Sequence, residues 1–471
     1  MSGENAEKYR EKLKRYTKAM ANKTPDRVPI RPFTAEFTGK YAGYSCQEIT
    51  HDYNLAFEAA LACARDFDWD AVVGNMVYVW TGLTQALDLK YYGVPGIDLD
   101  PEVGFQYKEP SEENAFMKAE EYDRLIENPT RYLYEVWLPR VSGEIGGENK
   151  FYNDLALVKG SMSMLSYFND LGEQNLRLKE VGAVPAISGI LKAPLDIIGD
   201  KLRGYFGLAM DLMERPEKVL KACKALMPHL LQTALGGADP ENNLPVTIWM
   251  HRGCVPLISQ EHFENIYWTT LKPIIMELWA RGHQTLFYAE GNWDHHLDSF
   301  AELPEKSIIY HIDRGDVNKA RQKLGDKFCL SGGFPNHLLT VGTSERIKNK
   351  CEELIDIMAD KGGYIFDASA IIQNDAKIEN VKAMTECVRE YGKYQYGIKK
   401  NEKEMKNSDS LNPGDYIDLN QGEPVPGVCR SWKSKARDYS EIKGNEQLVK
   451  QTWDELEGLA HMFIWHCLVS F

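Results

Sequence analysis

The sequence contains no apolar run of the roughly 18 residues that a membrane-spanning helix needs. Its opening, MSGENAEKYREKLKRYTKAM, lacks the apolar centre of a secretory signal. No GxxxxGKS/T loop, no GxGxxG after an apolar run and no GxSxG elbow occurs, so ATP, a dinucleotide and an acyl-transfer triad are all without a motif. A basic surplus is missing as well: 55 Lys and Arg stand against 69 Asp and Glu, a net charge of -14. That excludes a general nucleic-acid binder, which neutralises phosphates with a basic face. The nine cysteines form no CxxC pair, and Cys223, Cys351 and Cys387 fall on apolar positions of helical patterns. Core thiols in a reducing compartment are therefore expected, and a cytoplasmic protein with them.

What is present is an ordinary globular composition, 43% hydrophobic and 26% charged, long enough for a large core. The chain is organised around the stretch from Arg281 to Asp316. Two apolar runs there, Thr285 to Ala289 and Ser307 to Tyr310, are too short for helices and rich in aromatic and β-branched residues, so both read as buried strands. Glu290 follows the first and His311 the second, with a helix-sized segment ending at Pro304 between them. A strand, helix, strand unit makes the strands parallel and carries both residues to one rim.

The same alternation extends over most of the chain. A basic amphipathic helix over 6–22 leads to a strand from Arg27 to Phe33, and a helix from Tyr53 to Phe67 to a strand from Asp70 to Val79. Residues 81–180 mix turn signals with short helical pieces and read as an insertion over the sheet. Further strands are expected within 184–198, with Lys192 and Asp196 near the end, at Val246 to Met250, at Lys327 to Leu330 and at Tyr364 to Phe366. Helices are expected from Pro216 to Leu235, from Glu261 to Ala280, and after the cap Thr343, with Ile347, Cys351, Leu354, Ile355 and Met358 as its buried stripe. Eight strands alternating with helices, each ending in polar residues, predict a (β/α)8 barrel over residues 1–400. Residues 401–471 read as a C-terminal extension closed by a helix from Leu448 to Phe463.

Glu290 and His311 are the candidate metal pair, with His251 after the fourth strand as a third ligand and Cys254 as a softer alternative. Asp313 is a candidate to orient a ligand or touch substrate, and Asp367 has the same standing. Phe33, Phe37, Tyr41, Tyr78, Trp80, Tyr288 and Trp293 are aromatic candidates to sandwich a flat ring, part of them plain core. His295 and His296 look like a metal cluster but belong more naturally to the barrel rim.

Thr24-Pro25-Asp26-Arg27-Val28-Pro29, Ala289-Glu290-Gly291-Asn292, Ser331-Gly332-Gly333-Phe334-Pro335 and Glu379-Asn380-Val381-Lys382-Ala383-Met384 together resemble the uroporphyrinogen decarboxylase superfamily over residues 6–395. The decarboxylases proper carry an arginine-rich segment after the first strand; here residues 33–41 contain none. The spacing Glu290-x20-His311 resembles instead the zinc motif of methyltransferase components of anaerobic aryl-ether O-demethylases. Both cysteine ligands of the coenzyme M branch are replaced, leaving harder oxygen and nitrogen donors.

The resemblance implies a zinc-dependent methyltransferase acting on a methoxylated aromatic, with Glu290 and His311 on the metal. The acceptor it implies is the Co(I) corrinoid (cobalamin) of a separate corrinoid protein, because no Asp-x-His-x-x-Gly corrinoid motif is present. A different donor such as methanol or a methylamine, a metal-free decarboxylase, and a barrel that only binds a corrinoid or tetrapyrrole are the alternatives. The oligomeric state stays open.

Overall fold

The computed structural model describes residues 3–74, 80–394, 411–420 and 424–470. It is a (β/α)8 barrel. β1 is the extended segment 28–34, β2 is Ala71–Val72, and β3 runs as Val184–Pro185 and then Ile190–Lys192. β4 is Val246–Met250, β5 Thr285–Ala289, β6 Ile308–Ile312, β7 Cys329–Gly332 and β8 Tyr364–Ile365. The second part of β3 through β8 forms one parallel six-stranded sheet, and β2 pairs with the first part of β3. The ring closes through β1: Ile30 bridges Phe366, Thr34 bridges Ile372, and the amides of Asp70 and Ala71 donate to the Ile30 carbonyl.

β1 differs from the regular strand expected because Pro29 and Pro32 have no N–H to give, which reduces the ladder to isolated bridges. Ion pairs hold it instead. Arg27 clamps the buried Asp70 carboxylate at 2.7 and 2.9 Å, and Arg15 of the first helix reaches the same carboxylate at 2.6 Å. β2 is shorter than expected, and Tyr78 lies outside the described residues.

The insertion also departs from expectation. After short helices and a two-stranded ribbon, Tyr92–Gly93 with Gln106–Tyr107, it ends in one 31-residue helix, Lys150–Glu180. The C-terminal helix Glu446–Val469 crosses it where Phe463 packs on Gly160; a Cβ at Gly160 would stand 2.8 Å from that ring, so any larger residue would force the ring to shift. Trp465 of the C-terminal helix stacks on His229 of the helix Pro216–Gly236 at 4.9 Å and donates to Thr130 Oγ1 at 3.0 Å.

That helix is docked by neutral imidazoles. Burial pushes His229 down to about 4, His461 to about 3 and His466 to about 4. The unfolded chain, near 6.5, therefore binds more protons than the folded one, so the stabilisation is whole above that value and lost as pH falls from about 6.5 toward 4. Each ring should forfeit on the order of 2 kcal/mol between pH 7 and pH 5. Hydrogen exchange over 446–469, corrected for intrinsic rates, should accelerate across that window; protection unchanged at pH 5 would contradict this account.

Candidate active site at the barrel mouth

The parallel register stacks the barrel interior in layers. Lys192, Trp249, Tyr288, His311 and Ser331 lie side by side on β3 to β7, each in register with the next. Phe33 joins them from β1, its ring 4.7 Å from Tyr288 and 5.7 Å from Trp249, while Tyr288 stacks on His311 at 4.3 Å. This layer is closed to solvent. It forms a floor.

His311 belongs to that floor. Its Nε2 lies 2.9 Å from the Ser369 carbonyl, which can only accept, so Nε2 carries the proton; Nδ1 then accepts from the Ser331 hydroxyl at 3.1 Å. Burial, then the nearby Arg31 charge, pushes the imidazole down to about 3, in keeping with this neutral form. Both ring nitrogens are engaged. The structure thus does not bring His311 beside Glu290 as the sequence spacing led one to expect, because the residue in register with His311 is Tyr288.

Glu290 lies two residues further on, one layer toward the mouth, a step of about 6–7 Å. The matching residues of the neighbouring strands are His251 and Asp313, two positions past Trp249 and His311. His251 Nε2 faces Glu290 Oε2 at 3.5 Å and, though buried, has no hydrogen-bond partner among the described residues. The Glu290 side chain is 38% exposed, so this pair stands at the opening. Asp313 accepts the Gly291 amide at 2.8 Å. Gly291, at φ 94°, makes the turn; a Cβ there would fall 2.7 Å from Cys254 Sγ.

Two acids on the turn after β3 support the pair. Pro194 starts a helical segment on which Asp196 and Asp200 stand four residues apart, on one face. Asp200 accepts His251 Nδ1 at 3.1 Å, Lys192 Nζ at 3.0 Å and Arg252 Nε at 2.7 Å. Asp196 accepts the amides of His251 and Arg252 at 3.0 and 2.7 Å and the Tyr267 hydroxyl at 3.0 Å. Burial alone would raise the Asp200 carboxyl, yet Lys192, His251 and Arg252 hold it well below the carboxylate range. Burial raises Asp196 to about 6. For His251, burial acts downward, but the Glu290 and Asp200 carboxylates outweigh it and raise the imidazole. Asp313 is raised by burial, with Glu290 adding to it.

Asp200, Arg252 and Asp196 in these roles were not assigned from sequence. The signal was the Asp196-x3-Asp200 spacing behind a helix-starting proline.

The other sequence candidates scatter. Phe37 packs on Phe67 and Tyr41 outside the barrel wall, and Trp80 packs between Tyr53 and Tyr167 of the insertion. Asp367 is fully buried, bonded to Arg31 at 3.0 Å and to the Phe33 amide at 3.1 Å, so it fastens β1 to β8 rather than meeting substrate. Tyr288 lies in the floor, and its hydroxyl has no hydrogen-bond partner among the described residues. Trp293 donates to the Glu290 carbonyl at 2.8 Å, bracing the turn. His296 is stacked 3.5 Å from Phe263, pushed down by burial to about 4, while His295 is exposed at the rim, so neither joins Glu290. Burial pushes the Cys254 thiol up to about 11, away from a thiolate ligand.

A cleft of about 740 Å³ opens elsewhere, lined by Gly189, Gly237, Leu244 and His461. The loop preceding β4 borders it, which puts it at the opposite end of the barrel from the carboxylates.

Residues 175–391 match the family model described as uroporphyrinogen decarboxylase (URO-D). A uroporphyrinogen decarboxylase of a Nitratiruptor species is 25% identical over 141 residues, covering 25% of this chain and 41% of that protein. The chain thus spans about two fifths of the length of the curated relative it matches. The solved structure of a methyltransferase from Methanosarcina mazei covers 81% of this chain and 98% of its own at a TM-score of 0.53 and 16% identity, a likeness of fold. Residues 175–391 are thus similar to the uroporphyrinogen decarboxylase family, within a chain whose fold is a (β/α)8 barrel.

Proposed function

We propose that the protein is a zinc-dependent methyltransferase that takes the methyl group of a methoxylated aromatic and passes it to the reduced corrinoid of a separate corrinoid protein. The observation that carries this reading is the Glu290 carboxylate facing, at 3.5 Å, a His251 Nε2 that has no hydrogen-bond partner among the described residues, at the open end of the barrel. A nitrogen and an oxygen donor so placed fit a zinc ion, and Asp200 on Nδ1 is the carboxylate that metal-bound histidines characteristically use. His311 is not proposed as a ligand, and among the described residues no three His, Cys, Asp or Glu side chains gather as a metal group. A catalytic zinc ordinarily takes three protein ligands, so a further donor would have to join Glu290 and His251 when the metal is bound.

Bound there, zinc would supply a Lewis acid toward the ether oxygen of the donor. The chain's own residues supply the rest. Asp200 fixes the His251 tautomer so that Nε2 presents its lone pair, and Lys192 and Arg252 keep Asp200 ionised for that task. Asp313 and Trp293 hold the turn that presents Glu290. The Phe33, Trp249 and Tyr288 floor closes the barrel against water and offers aromatic surface beneath the pair.

A decarboxylase of polycarboxylates fits less well. The segment 33–41 offers only Lys40 as a cation, and Lys40 is bonded to the Asn374 and Ala376 carbonyls. The fold of the Methanosarcina mazei methyltransferase supports the methyl-transfer reading.

The test is to mix the purified, zinc-loaded chain with a reduced corrinoid protein and a panel of methoxyarenes, following the corrinoid's visible spectrum. Demethylation of a methoxyarene, lost on chelation and regained with zinc, is the expected result. Turnover of methanol or a methylamine alone would reassign the donor, and turnover after chelation would remove the metal from the proposal.

A further inference from the structure

The helix Lys150–Glu180 is apolar on two opposite faces. One face, with Ala156, Gly160, Met164, Tyr167 and Leu178, is buried against the rest of the molecule. The other carries Phe151 (66% exposed), Val158 (53%), Met162 (61%), Leu165 (43%) and Leu176 (60%). Positions 151, 155, 158, 162, 165, 169, 172 and 176 advance by alternating steps of four and three, the repeat of a two-helix seam. At 3.6 residues per turn this stripe lies roughly opposite the buried face. A surface helix ordinarily turns its second face polar; this one keeps it apolar from Phe151 to Leu165 and again at Leu176, with Asn169 and Gly172 between.

We propose that this face is the interface with a second copy of the chain, the two long helices packing in parallel about a two-fold axis. Two features of the stripe fit a parallel self-pair. Asn169 occupies an inner position of the seam, where a parallel arrangement brings the two Asn169 amides together to bond one another, the polar device that fixes register and pairing. Asp154 and Lys159 flank the seam on opposite sides, five residues apart, the separation at which a parallel pair sets Asp154 of one copy against Lys159 of the other. The two-fold repeats that ion pair. An antiparallel arrangement separates both sets of partners. The interface is isologous, formed by the same patch on each copy, and independent of the reading given to the barrel mouth.

Sedimentation velocity on the full chain at micromolar concentration tests it. The wild type is expected as a dimer, twice the 53.6 kDa of the chain. Met162→Glu, at an exposed position, should yield a monomer with unchanged far-UV circular dichroism. Asp154→Lys should raise the dimer dissociation constant about tenfold by setting lysine against lysine, and adding Lys159→Asp should restore it. A monomeric wild type, a dimer that Met162→Glu leaves intact, or a double variant that fails to regain the dimer would each overturn the proposal.

Discussion

Glu290→Ala is expected to abolish methyl transfer, by about 10³-fold or more, in a protein that still folds. The side chain is partly exposed and, among the described residues, meets only His251 as an ionic partner, so its loss should cost under about 1 kcal/mol of stability. Elemental analysis after dialysis against a mild chelator should find zinc in the wild type and little in the variant. His311→Ala makes the contrasting prediction. It removes a buried ring from Tyr288, Ser331 and the Ser369 carbonyl and should cost about 2–4 kcal/mol, yet leave the metal content unchanged. Loss of zinc in His311→Ala with retention in Glu290→Ala would reverse the assignment of the ligands.

Asp200→Ala should be the most destabilising change near the mouth. The carboxylate is buried and accepts Lys192, Arg252 and His251 at once, so alanine takes the countercharge from the buried Lys192 and leaves the partly exposed Arg252, among the described residues, only its longer ion pair with Glu109 at 3.6 Å. Removing one member of a buried ionic cluster costs about 3–5 kcal/mol. Equilibrium urea denaturation should show it as a lowered midpoint. Zinc affinity should fall with it by about 10–100-fold, because His251 loses the group that sets its tautomer. An Asp200→Ala protein as stable as the wild type would mean that the cluster is better solvated than the structure indicates.

The parts of the fold legible in the sequence are those where one local signal dominates. Val246–Met250 and Thr285–Ala289 are strands with the limits their apolar runs gave, Tyr53–Phe67 is the helix expected, and Thr343 caps Ser344–Met358 over the buried stripe Ile347, Cys351, Leu354, Ile355 and Met358. Where two signals compete, the reading fails. The prolines of β1 break its ladder, and the long helix, apolar on both faces, shows no single stripe and reads as short pieces. At the site, the counted spacing from Glu290 to His311 is correct as arithmetic and silent about register. The ladder pairs Tyr288 with His311, and only that pairing shows the two candidates to be a layer apart. The placement of His251 at the end of β4 is legible because a strand end fixes it; its carboxylate partner Asp200 depends on a helical turn after β3, whose packing no local pattern declares.

The buried bond between Arg31 and Asp367 bears on how the chain is made. These residues are 336 positions apart, so the first strand to be synthesised is the last to acquire its second neighbour. Until residues 364–372 are available, β1 has β2 on one side and an unsatisfied strand edge on the other, the surface on which unfinished chains stick to one another. An inward-pointing arginine flanked by Pro29 and Pro32 makes that edge a poor template for a stray strand. The residues that leave β1 irregular in the finished barrel would thus also keep its waiting edge from pairing with a stray strand before the closing strand arrives.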